Sequence, residues 1–125
     1  MKSALFRVDA SNNLGAGHVM RCSQLANALE TRGWECTLAG RSETLEVLDK
    51  THSWSGAFLK LEGNAAQEPD FIKANTPLSK LDLLVCDHYE RGFSFETACR
   101  PWVDQILVIE DLPNRSHDAD ILLDQ

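Results

Sequence analysis

The sequence has no run of basic residues, no Cys-x-x-Cys pair and no apolar stretch near the roughly 20 residues needed to cross a bilayer. Each absence removes a class of function. Its 12 Lys and Arg stand against 19 Asp and Glu, for a formal net charge of −7, and the cations are scattered, which excludes an extended nucleic-acid surface. The four cysteines, Cys22, Cys36, Cys86 and Cys99, lie far apart in apolar surroundings. They read as reduced, buried thiols rather than disulfides or zinc ligands. No signal-peptide apolar core follows Met1-Lys2, so the expected location is cytoplasmic, with no membrane partner. No internal repeat or low-complexity tract is visible. At 125 residues and 43% hydrophobic content, the chain suits one core and one domain, residues 1–125.

What is present is organised around a glycine-bearing turn, Leu14-Gly15-Ala16-Gly17-His18-Val19-Met20-Arg21-Cys22. Residues 4–8 read as a short buried strand, and residues 9–17 have loop composition. From His18 onward, Cys22, Leu25, Ala26 and Leu29 recur at the spacing of one helical face, until Arg32-Gly33 supplies a stop. The first turn of such a helix carries unpaired N–H groups and partial positive charge, so the loop is a seat for a phosphate or carboxylate. The helix field also disfavours adding a proton to an imidazole placed there, which is the state a general base needs. His18 is then either a base or a helix-start residue satisfied by a loop carbonyl.

The rest of the chain alternates strands and helices. Strands are expected at 35–39, 57–61, 81–86, 106–109 and 121–123, with a turn at Gly40-Arg41. Helices are expected at 44–51 behind Ser42, at about 70–80 with an interruption at Pro77, and at 95–99. The stretch 62–69 reads as the least structured part. The continuous apolarity of 81–86 and 106–109 argues for strands buried on both faces. This rhythm predicts an α/β fold, a doubly wound, Rossmann-like parallel sheet with helices on both faces. Ligands of such sheets bind beyond the carboxyl ends of the strands. Asp9, the loop from Gly15 through Gly17 to His18, Asp87-His88-Tyr89 and Glu110-Asp111 all fall at that edge.

Taken together, Phe6-Arg7-Val8-Asp9-Ala10-Ser11, Gly15-x-Gly17-His18-Val19-Met20-Arg21-Cys22, Asp87-His88-Tyr89, Asp111-Leu112 and His117-Asp118-x-Asp120-Ile121-Leu122-Leu123-Asp124-Gln125 resemble one family in order and spacing. It comprises the hydrolases of pseudaminic acid biosynthesis that cleave UDP-2,4-diacetamido-2,4,6-trideoxy-β-L-altropyranose, a pathway of flagellin and surface glycosylation. The resemblance covers the family's amino-terminal half. It implies the N-terminal domain of a two-domain, B-type glycosyltransferase-like (GT-B) fold whose other domain, absent from these 125 residues, holds most of the UDP. The implied reaction is attack of water at the anomeric carbon with inversion, releasing UDP and free sugar without metal or other cofactor. His18 would be the catalytic base. Asp9, Gly15, Gly17, Asp87, His88, Tyr89 and Asp111 would bind substrate. Tyr89 either hydrogen-bonds the sugar or water or stacks on the following loop; Asp9 either holds the glycine loop through its N–H groups or meets a sugar hydroxyl.

By residue type alone, Asp87 with His88, or His117 with Asp118 and Asp120, are metal candidates, but neither set has compact ligand spacing, so no metal is expected. The sequence departs from the family in Glu110-Asp111-Leu112, where Asp-Asp-Leu is common, and in Glu90, where glycine is frequent. Two other readings stand beside the enzyme: a non-catalytic sugar-nucleotide binding module, and a phosphoacceptor receiver domain. The receiver wants an acidic pair after strand one and a lysine after its last core strand, where this chain has Asp9-Ala10-Ser11 and Glu110-Asp111.

Overall fold

Six strands in a computed structural model form one all-parallel sheet in the order β3-β2-β1-β4-β5-β6. The described residues are 1–11, 15–76, 80–110 and 115–124. In chain order the elements are β1 (Ser3–Val8), α1 (Gly17–Glu30), β2 (Glu35–Gly40), α2 (Ser42–Thr51), β3 (Ala57–Lys60), α3 (Glu68–Asn75), β4 (Leu81–Asp87), α4 (Phe93–Cys99), β5 (Val103–Glu110) and β6 (Ile121–Asp124). This is the doubly wound α/β arrangement, and its order differs from the 2-1-3-4-5 order of receiver domains.

Strand alternation sorts the apolar side chains onto two faces. Phe6, Val8, Leu38 and Val85 pack against Val19, Cys22 and Ala26 of α1 and Val47 and Leu48 of α2. Leu5, Ala39, Leu84 and Ile106 pack on the other face against Ile72 of α3 and Phe95 and Cys99 of α4. Full burial of one such large side chain contributes about 1.5–3 kcal/mol. All four cysteines are free and buried. Burial pushes every one of their thiols up, Cys36 to about 11 and Cys99 to about 12, so none is poised as a thiolate nucleophile. β6 is the exception to a covered sheet: Ile121, Leu122 and Leu123 are all exposed at the edge. Among the described residues no helix is long and apolar enough to cross a membrane.

The sequence expectation fails most at 62–69. Asn64 and Gln67 form a reciprocal capping box around a turn of 3-10 helix, Ala65–Gln67, and Glu68 begins α3 with its carboxylate fully buried. Gly40 is the last residue of β2 rather than part of a turn. A Cβ there would lie 2.5 Å from the Val8 carbonyl and 3.0 Å from Asp9 Oδ1, so glycine is what lets β2 pass the Asp9 carboxylate. The expected interruption at Pro77 lies outside the described residues; α3 ends before it, at Asn75.

Candidate active site at the carboxyl edge

Between β1 and β4 the winding of the sheet reverses, and this switch point is where ligand crevices of such sheets open. In register Val8 lies beside Asp87, so Asp9 and His88 leave adjacent strand ends together. Successive residues of an extended chain point to opposite faces. Asp87 therefore turns toward α1, and His88 toward Asp9 and α3. One sequence pair, Asp87-His88, thus feeds two separate histidine–aspartate pairs.

On the α1 side, His18 Nδ1 lies 2.6 Å from Asp87 Oδ1. Asp87 is buried and also accepts both prongs of Arg21, from Nε at 2.9 Å and from Nη2 at 2.8 Å. A carboxylate held by a bidentate guanidinium is an acceptor only, so the proton between it and His18 sits on Nδ1. Arg21 Nη2 is also 3.0 Å from Nδ1, but a nitrogen already donating to Asp87 has no lone pair to offer it. The remaining lone pair of His18 is on Nε2, which has no hydrogen-bond partner among the described residues. The Tyr89 ring packs edge-on against the imidazole, with centroids 4.8 Å apart and planes at 86°. Beside this pair α1 begins with no side-chain cap and no acidic residue in its first turn among the described residues. Gly15 has φ of 80°, which favours glycine, and added Cβ atoms at Gly15 and Gly17 would meet open space.

On the other side, His88 Nε2 donates to Asp9 Oδ2 at 2.7 Å, because Nδ1 already accepts the Glu90 N–H at 2.9 Å. Asp9 also accepts from Arg7 Nη2 at 3.0 Å, the Arg41 N–H at 2.8 Å and Thr44 Oγ1 at 2.9 Å. Burial pushes its carboxyl up, but the hydrogen bonds from His88 and Arg7 and the charge of Arg7 outweigh it and hold the group well below the usual carboxylate range. Asp9 therefore binds the start of α2, and among the described residues it accepts no hydrogen bond from the glycine loop. Beneath it, the buried Arg7 makes a two-pronged pair with Glu68, whose oxygens also accept from Arg91 and Arg41. Burial opposes ionisation of Glu68, and these arginines win, lowering its pKa to about 2.

A small pocket is lined by Asp9, His18, Asp87, His88, Tyr89 and Glu90, and through Glu90 it adjoins a groove of about 400 Å³ floored by Ala65, Ala66, Pro69, Phe95 and Ala98. Of the residues predicted from sequence, Asp9, His18, Asp87, His88 and Tyr89 line this pocket, while Gly15 and Gly17 lie in the turn that leads into α1 and are not part of its lining. Asp111 lies outside the described residues. His88 and Asp9 have their polar atoms committed to each other and to the scaffold, so they shape the rim. His117 lies elsewhere, between Glu96 and Glu110, and Asp118 and Asp120 bind Arg100. Among the described residues no group of three or more His, Cys, Asp or Glu is arranged to hold a metal ion. Sequence reasoning gave Arg21 no role and passed over Arg7. An arginine inside an otherwise apolar strand was the available signal, because a buried guanidinium requires a partner.

Fold and site together define a doubly wound α/β domain with a histidine–aspartate dyad at the switch point of its sheet. No model of a known protein family matches the chain, and no curated protein matches it.

Proposed function

We propose that this domain is the base-bearing half of a nucleotide-sugar hydrolase, which cleaves a UDP-linked diacetamido-trideoxy sugar at its anomeric carbon. The observation that carries the reading is the His18–Asp87 dyad: Nδ1 is committed, Nε2 has no hydrogen-bond partner among the described residues, and His18 lines the pocket. In this reading Nε2 takes a proton from water as the water oxygen bonds to the anomeric carbon. The bond from that carbon to the phosphate oxygen breaks, UDP leaves, and the sugar is released with inversion. Asp87 stabilises the imidazolium that forms, and Arg21 holds the Asp87 carboxylate in place through two hydrogen bonds. The start of α1, which has no side-chain cap among the described residues, offers N–H donors to an oxygen of the substrate. Tyr89 packs against the base and lines the same pocket; in this reading it meets the sugar or the attacking water.

The resemblance noted from the sequence supplies the substrate, the pseudaminic acid pathway and a cytoplasmic setting. It also supplies a GT-B arrangement, in which a second domain holds most of the UDP. The test is UDP release from the diacetamido UDP-sugar by residues 1–125 and by the same chain joined to a nucleotide-binding domain of that family. Release by the joined chain, lost in His18→Asn, supports the reading. If neither chain releases UDP, the hydrolase reading falls, and titration with UDP and with free sugar decides whether the domain only binds.

A further inference from the structure

The segment 115–120, which leads into β6, lies against the loop that carries Tyr89, and one side chain ties the two together. Arg115 Nη1 donates to the His88 carbonyl at 3.1 Å, and Nη2 donates to the Arg91 carbonyl. The guanidinium fork therefore grips both ends of residues 88–91. Its charge is balanced by Glu110 at the end of β5, whose Oε1 lies 3.2 Å from Nη1. That same oxygen meets His117 Nε2 at 2.9 Å, which anchors the fork to the strand. Gly92 makes room for it, since a Cβ there would come within 3.0 Å of Nη2.

Tyr89 is 41% exposed, so its own burial does little to hold its ring against His18. The side chains of His88 and Arg91 pin the loop from the sheet side, to Asp9 and Glu68. Arg115 pins its backbone through the two carbonyls. A lysine can meet Glu110 as a point charge, but it has no planar fork to span two carbonyls.

We propose that Arg115 is a positioning residue, which fixes the backbone of residues 88–91 and so holds the Tyr89 ring edge-on to the His18 imidazole. The effect on turnover rests on the hydrolase reading; the effect on Tyr89 does not.

Tyr89 is the only tyrosine in the chain, so incorporation of fluorotyrosine gives one fluorine NMR line that reports this ring alone. The line in His18→Ala, which removes the imidazole, marks the unpacked position. In Arg115→Met and Arg115→Lys the line moves toward that position. Arg115→Lys, which keeps a positive charge beside Glu110, decides the matter if Arg115→Met does not fold. In samples competent for UDP release, the same variants lower kcat roughly ten- to a hundredfold with KM little changed. An unmoved line in a folded Arg115→Met or Arg115→Lys overturns the positioning role. A moved line with unchanged kcat overturns its catalytic consequence. A moved line in a protein that releases no UDP upholds the positioning role and sinks the hydrolase reading instead.

Discussion

Two histidine–aspartate pairs stand side by side at one sheet edge, and they differ in what each has left over. In the His88–Asp9 pair both imidazole nitrogens are engaged, and the carboxylate accepts from four groups. In the His18–Asp87 pair the carboxylate is equally committed, to the imidazole and to Arg21, but Nε2 of the imidazole has no hydrogen-bond partner among the described residues, and His18 lines the pocket. The residue types are the same. Chemistry becomes possible only where one nitrogen is left uncommitted, and stability is gained where every atom is spoken for. The closed pair also rests on a buried charge network, Arg7 with Glu68 and Glu68 with Arg91 and Arg41, whereas among the described residues the open pair is backed by Arg21 and by the Cys22 thiol, 3.6 Å from Asp87 Oδ2.

The largest effect that separates the pairs is on turnover. His18→Asn is expected to lower UDP release by roughly two to four orders of magnitude. The fold should survive, since the His18 side chain is 17% exposed and sits at the rim. Circular dichroism beside the activity assay checks both halves. A His18→Asn protein that is folded and fully active breaks the comparison, because the open pair would then be no more functional than the closed one. Asp87→Asn should follow in the same direction: an amide can present its NH2 to Nδ1 and favour the tautomer with the proton on Nε2, which cannot act as a base.

The next effect concerns what supports the closed pair. Glu68→Gln leaves Arg7, Arg91 and Arg41 without their shared anion, and losing one partner of a buried ion pair costs about 3 to 5 kcal/mol. The pH dependence sharpens this. The Glu68 carboxyl is held down at about 2 against an ordinary 4.5, so the stability it carries is complete above 4.5 and is lost as pH falls toward 2. Asp9 is lowered as well and acts in the same direction. Urea midpoints measured across this acid range should fall steeply for the native sequence and less steeply for Glu68→Gln. Parallel slopes would show that the network does not carry the acid sensitivity.

The sheet was legible because its strands are local signals: residues 83–86 and 106–109 are continuously apolar, which points to burial, and α1 repeats its apolar face every three or four residues. The rim was legible at one remove, since the strand-end rule collects polar residues at one edge whatever their partners. Which carboxylate would meet which histidine was not. His18 and Asp87 are 69 positions apart, and His88 and Asp9 are 79 apart. Their pairing follows from strand register and from the side to which each residue turns. Residues 62–69 misled for a related reason. Glu68 looks like a solvated residue in a polar stretch, and its burial depends on Arg7, Arg41 and Arg91, which arrive from β1 and from the segments after β2 and β4. No spacing within the stretch announces them.

The smallest effect is the one that tests the closed pair directly. His88→Gln can keep one donor near Asp9 but loses the ring nitrogen that accepts the Glu90 N–H, so one hydrogen bond is lost while the buried carboxylate keeps its other three. The expected cost is about 1 to 2 kcal/mol of stability. Turnover per folded molecule should fall far less than in His18→Asn, because no atom of His88 is left to act on substrate. His88→Ala removes the donor as well, so it should cost more stability than His88→Gln while following the same pattern in turnover. The check is a urea denaturation curve and a UDP-release rate for each variant. If His88→Gln were as stable as the native chain but as inactive as His18→Asn, the assignment would invert, and the pair described as closed would be the one that works.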